Sequence, residues 1–242
     1  MSTGDIVLWI IFPYAAFAVF VVGHVWRYRR DQFNWTTRST QLLDRRILGW
    51  ASPMFHYGAL AAIGGHVIGM FIPPSATQAI GIPESTYRWF AGVAGGIAAL
   101  VTIAGFLGLL YRRIASERVR RNTSRVDILT YLLLTVLIVM GTVMTFGYTL
   151  ITDHPENYRV TISDWWRSLF YLHPHVAAAT HAPLIYRLHA IIAWLFWASY
   201  PFSRLVHAWS IPLQYIGRPY ILYRRRFPAA PWSLRGAPYR SR

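Results

Sequence analysis

The sequence has no cysteine and no lysine, and acidic residues are scarce: nine Asp and Glu stand against 24 basic residues, all arginine. Without cysteine there can be no disulfide, no CxxCH haem attachment, and no thiolate-ligated metal or iron–sulfur cluster in the chain. No P-loop, dinucleotide fingerprint or nucleophile–base set occurs either. Carboxylates are missing from the apolar runs, apart from Asp127 at the entrance of one. A proton-pumping relay of intramembrane acids is therefore not evident.

What the sequence has in abundance is apolar length. Hydrophobic residues make up 55% of its 242 residues, and the mean hydropathy is +0.32. Runs of ~20 apolar residues at ~1.5 Å each span the ~30 Å of a bilayer core. Five such runs are read here: Ile6–Trp26, Pro53–Ile72, Trp89–Tyr111, Val126–Ile151 and Leu184–Trp209. They predict an all-α fold, an integral membrane five-helix transmembrane bundle. The first run lacks a basic leader and ends in "GHVWRYRR" instead of a small-residue cleavage site, so it reads as a retained helix.

The formal charge of +15 is a matter of topology more than of nucleic acid, and no nucleic-acid partner is expected. The arginines cluster between Arg27 and Arg46, between Arg112 and Arg125, and from Arg204 onward; only Arg88, Arg159, Arg167 and Arg187 lie elsewhere. The positive-inside bias then puts the N-terminus outside and the C-terminus in the cytoplasm of a multi-pass protein of the bacterial cytoplasmic (inner) membrane. Membrane lipid or an acidic partner would meet the basic loops. Residues 1–226 read as one transmembrane domain, and 227–242 as a basic, Pro-rich cytoplasmic tail. In the outer segment from Thr152 to Pro183, "ISDWWRSLFYLHPHVA" carries tryptophans that suit an interfacial helix.

Nine histidines are present. His154, His173, His175 and His181 fall in the outer segment. His24, His56, His66, His189 and His207 fall in or at the ends of helices, where polar side chains are costly. Each alone could hydrogen-bond a neighbouring helix. As a set, those of the second and fifth runs suggest more. These runs are antiparallel, so depth pairs His56 with His207 and His66 with His189. Imidazoles facing across a gap can ligate one haem iron from both sides, which leaves no open site and suits electron transfer. Ten residues on the second helix span ~15 Å and miss three full turns by ~80°, whereas 18 on the fifth span ~27 Å on one face. Pro201 could bend the fifth helix and absorb part of the mismatch. His24 is a weaker rival to His56 or His207. Gly58, Gly64, Gly65 and Gly69 would let a porphyrin approach, or serve helix packing equally well. Arg187 and Arg204 stand where haem propionates would emerge, or snorkel to the headgroups.

The stretches "MFHYGALAAIGGHVIGM", "RSTQLLDRR", "RVRRNTSRVDIL" and "YRLHAIIAWLFWASYPFSRLVHAWSIPLQYI" closely resemble the gamma subunits of respiratory nitrate reductases, dihaem cytochrome b membrane anchors. The resemblance covers nearly all of residues 5 to 225. It implies two haem b groups, with His66 and His189 on the outer one and His56 and His207 on the inner. It implies quinol oxidation near the outer haem. Electrons would pass to an iron–sulfur beta subunit and a molybdenum alpha subunit that reduces nitrate. The quinol would lie beside Gly65, His66 and Gly69, under the loop with Tyr87 and Arg88. Some members carry a quinol-binding lysine in that loop; this chain has none, and Arg88 or Tyr87 are the candidates to replace it. Two other readings stay open: the same module serving a sulfur-compound or heterodisulfide reductase, and a haem-free anchor.

Overall fold

The computed structural model describes residues 2–43, 45–152, 156–210 and 217. The apolar runs are helical, and no strand occurs among the described residues. Helix α1, Thr3–Arg30, opens with a reciprocal cap: Asp5 N–H donates to Ser2 Oγ, and Ser2 N–H donates to Asp5 Oδ2. Helix α2 is Leu48–Phe71, α3 is Pro74–Ala79 and α4 is Glu84–Ala115. Helix α5, Arg125–Leu150, starts on a second capping box, Ser124 with Asp127, and finishes in π-helical turns over Met144–Leu150. Short helices α6, Ile162–Phe170, and α7, Val176–His181, lead into α8, Leu184–Ser199. Helices α1, α2, α4 and α5 are long and apolar enough to cross a membrane.

The fifth run departs from expectation. It is not one helix to Trp209. α8 stops after 16 residues and is followed by 3-10 turns at Tyr200–Phe202 and Arg204–Ser210, with Ser203 extended between them. Pro201 is the cause. It offers no N–H and its ring opposes a continuing helix. The basic Pro-rich tail, 227–242, lies outside the described residues.

Helix α4 binds α2 on one side and α5 on the other; α8 packs against α5 and α1. The α2–α4 contact is close because glycine makes it so. A Cβ on Gly58 would lie 2.6 Å from the Thr102 backbone nitrogen, and one on Gly105 would strike the Phe55 backbone.

The main apolar core gathers at the end that carries residues 156–183, around Trp9, Trp165, Leu169, Val176, Tyr186 and Trp194. The interfacial helix expected there is α6, but its tryptophans point inward. Trp165 is 1% exposed and meets Trp9 edge-on at 5.2 Å; Trp166 lies 5.1 Å from Trp194. A hydrogen-bonding demand explains the insertion. Pro13 has no N–H for the carbonyl of Trp9, one turn earlier. Trp165 Nε1–H donates to that carbonyl at 2.9 Å. An orphan acceptor in apolar surroundings is thereby satisfied.

Candidate functional site: two facing histidine pairs

The structure brings together the two histidine pairs expected from depth. His66 on α2 faces His189 on α8 with ring centroids 6.3 Å apart and planes 12° from parallel. His56 on α2 faces His207, in the turns beyond α8, at 6.0 Å and 66°. Aromatic rings pair directly at centroid distances of about 4.5–7 Å, and these separations lie in the upper part of that range. They fit an atom held between two ring nitrogens. A metal–imidazole bond is about 2 Å, and C–N bonds of about 1.33 Å put a ring nitrogen roughly 1.1 Å from its centroid. Two bonds and two ring radii come to about 6 Å.

Three of the four rings are held for that task. Nδ1 sits 2.7 Å from the carbonyl of Ala62 for His66, of Ser52 for His56 and of Arg204 for His207. Donation from Nδ1–H fixes the tautomer, orients the ring and leaves Nε2 as a bare lone pair. Ser52 Oγ stands a further 3.3 Å from His56 Nδ1. His189 differs: its Nδ1 is buried with no partner among the described residues. Gly141 of α5 flanks it, where a Cβ would lie 3.7 Å from Cε1. No group of three or more His, Cys, Asp or Glu able to hold a metal ion occurs among the described residues. Two protein ligands per site suit a metal that brings its other ligands with it, as haem iron does.

How His207 reaches His56 answers the spacing mismatch. Beyond Pro201 the chain turns back, and the α8 axis is not continued. The freed carbonyls are taken up by Arg27 of α1, which is 4% exposed. Its guanidinium donates to the carbonyls of Pro201, Ser203 (2.9 Å) and Asn34 (2.7 Å). Gly23, one turn earlier on α1, makes room: a Cβ there would lie 2.8 Å from the Pro201 ring.

Arg204 is engaged by protein groups. It forks onto Asp127 at 2.7 and 2.8 Å, and also donates to the carbonyls of Arg38 and Asn122. With Asp127 only 5% exposed, this pair ties the His207 segment to α5. Arg187 keeps a buried Nε without a partner among the described residues. His24 is not brought to either pair: its Nδ1 meets the Phe20 carbonyl at 2.7 Å, and its ring lies among Phe20, Trp35, Tyr200 and Trp209. His154 lies outside the described residues, and His175 Nδ1 meets Asp164 at 2.8 Å.

The four glycines around the α2 histidines, Gly58, Gly64, Gly65 and Gly69, divide evenly. Gly64 and Gly65 have nothing within 4 Å of an added Cβ. Gly58 abuts Thr102, and Gly69 abuts Tyr158, whose hydroxyl would lie 2.5 Å from that Cβ. Tyr87 is a neighbour of Tyr158, and burial pushes the Tyr158 phenol well above the usual tyrosine range. The Tyr87 ring lies 3.8 Å beneath the Arg159 guanidinium. Arg159, fully buried, is fixed by Glu84 (2.7 Å), the Ile72 carbonyl (3.0 Å) and Thr77 Oγ1 (3.2 Å). Of the residues expected around the quinol, Gly69 and Tyr87 thus meet through Tyr158. Gly65 is one turn away on α2, and half-buried Arg88 is not joined to them. Tyr158 and Arg159 escaped the sequence reading. The one available signal was Arg159, an arginine away from the basic clusters.

Apolar helices of this length, with two imidazole pairs set between them, are the architecture of an integral membrane protein. The chain belongs to the nitrate reductase gamma subunit family, whose profile matches residues 5–226. It is 38% identical to the nitrate reductase gamma chain of Bacillus subtilis, over 91% of this chain and 98% of that one. It is 34% identical to the respiratory nitrate reductase 1 gamma chain of Escherichia coli, over 89% and 95%. It is also 44% identical to the nitrate reductase-like protein NarX of Mycobacterium tuberculosis, over 93% of this chain; there it spans only 35% of the relative's length.

Proposed function

We propose that the chain is the dihaem cytochrome b subunit of a respiratory nitrate reductase, anchoring it to the cytoplasmic membrane. His66 and His189 hold an outer haem b, and His56 and His207 hold an inner one. Haem iron bound between two imidazoles supplies one-electron transfer without a change of ligands. Quinol is oxidised beside the outer pair, near Gly65, Gly69, Tyr87 and Arg88, and its electrons leave from the inner side to an iron–sulfur beta subunit. A molybdenum alpha subunit then reduces nitrate. The fold crosses the membrane five times, with the N-terminus outside and the C-terminus in the cytoplasm.

One observation carries this reading: both ring pairs stand about 6 Å apart while the ring edge nearer their own helix is engaged through Nδ1 in three of the four rings. The residues hold orientation and tautomer, bring no third His, Cys, Asp or Glu to either pair among the described residues, and leave Arg187 with a buried N–H to offer a propionate. Purified chain tests the reading directly. Pyridine haemochrome assay is expected to return two b haems per chain, with visible bands that shift on addition of a reduced quinol analogue. A colourless but folded preparation overturns it and leaves a haem-free anchor.

A further inference from the structure

We propose that the Tyr158 hydroxyl, backed by Tyr87, is the group that hydrogen-bonds the quinol hydroxyl, in the role for which this chain has no lysine. The inference rests on the quinol reading above and deepens it.

Tyr158 comes from the segment after α5, yet its hydroxyl is lodged against Gly69 of α2. Only a residue without a Cβ leaves it that place. Gly69 follows Gly65 by four residues, so the two lie on adjoining turns of one face, ~6 Å apart along the axis. Beside Gly65 the space is open. A six-membered ring lying over Gly65, next to His66, would have the Tyr158 hydroxyl at its edge.

The phenol is built in. Tyr87 is a neighbour of Tyr158. The Tyr87 ring is itself clamped under Arg159, whose guanidinium is fixed by Glu84, Thr77 and the Ile72 carbonyl. A phenol brings one O–H donor and acceptor lone pairs. Burial pushes the Tyr158 phenol up, so it keeps its proton at physiological pH. A lysine in this place would only donate. A dihydroxy ring, which must be gripped by its own O–H and then released as a carbonyl compound, suits a group able to do both.

The test uses the assembled reductase in membranes, with a reduced short-chain naphthoquinol as donor and nitrate as acceptor. Y158F is expected to raise the quinol KM about tenfold, the loss of one buried hydrogen bond at ~1.4 kcal/mol per factor of ten. Haem content and nitrate reduction with a reduced viologen dye should stay at wild-type levels. Y87F, which keeps the ring under Arg159, is expected to raise KM by a smaller factor; it carries the test should Y158F fail to assemble. An unchanged quinol KM in an assembled, haem-replete variant overturns the assignment. The failure of the underlying reading looks different: wild-type complex would then lack haem or show no quinol-dependent nitrate reduction.

Discussion

At the scale of single residues, the four paired imidazoles are not equivalent. The ring planes of His66 and His189 are nearly parallel, whereas those of His56 and His207 are crossed at 66°. Replacing His66 or His189 by leucine is expected to halve the b-haem content and abolish quinol oxidation. Replacing His56 or His207 should also remove one haem, yet leave the other reducible by quinol, with no nitrate turnover. Unchanged haem content in both His66→Leu and His189→Leu would refute that pairing. The pairing itself was legible in the sequence, since antiparallel runs permit only one depth order. The fate of individual arginines was not. Charge distribution assigned Arg27 and Arg204 to membrane orientation or propionate contact. The first instead satisfies three carbonyls, and the second a buried carboxylate. Such roles depend on which backbone groups are orphaned in three dimensions, and nothing in the local sequence of a basic residue records that.

At the scale of elements, the structure is organised by two prolines and the groups that meet their freed carbonyls. Pro13 in α1 leaves the Trp9 carbonyl to the indole of Trp165, and this pulls α6 inward from the surface position its tryptophans suggested. Pro201 ends α8 and leaves carbonyls to Arg27. Both prolines were visible; their partners, more than 150 residues away, were not. An unsatisfied buried carbonyl costs about 1–3 kcal/mol. Arg27→Leu strands two of them in the segment that carries His207. The expected outcome is selective loss of the inner haem: spectra should show the quinol-reducible haem retained while total b haem falls towards half. Gly23→Leu should do the same, by driving a side chain into the Pro201 ring. Equal loss of both haems in the two variants would mean that the Pro201 turn has no particular hold on His207. Trp165→Phe, by contrast, removes one hydrogen bond at the opposite end. It should lower the melting temperature by a few degrees, for a cost of about 1 kcal/mol, without changing the haem ratio.

At the scale of the whole molecule, the number of crossings turns on one segment. α8 has 16 residues, which give about 24 Å of helix against a core of ~30 Å. The turns that follow it, through Ser210, must supply the rest. Their backbone is compatible with such depth because Arg27 takes up the carbonyls of Pro201 and Ser203 and the Arg204 side chain ties the segment to Asp127 of α5; irregular chain at depth is tolerated only if it is buried in protein. The proposed topology agrees with the arginine distribution: it puts the loops around Arg38 and Arg118 and the C-terminal arginines on one side, and Glu84, Asp164 and their partners on the other. Reporter fusions decide the matter. Alkaline phosphatase inserted at the exposed 171–172 turn should be active, whereas the same enzyme joined after Arg242 should be inactive, and a fluorescent protein there should be bright. Activity at both sites would place 152–183 and the C-terminus on one face. α8 would then be a re-entrant segment, His207 could not lie at the opposite depth from His189, and the two imidazole pairs would cease to describe a path from one side of the membrane to the other.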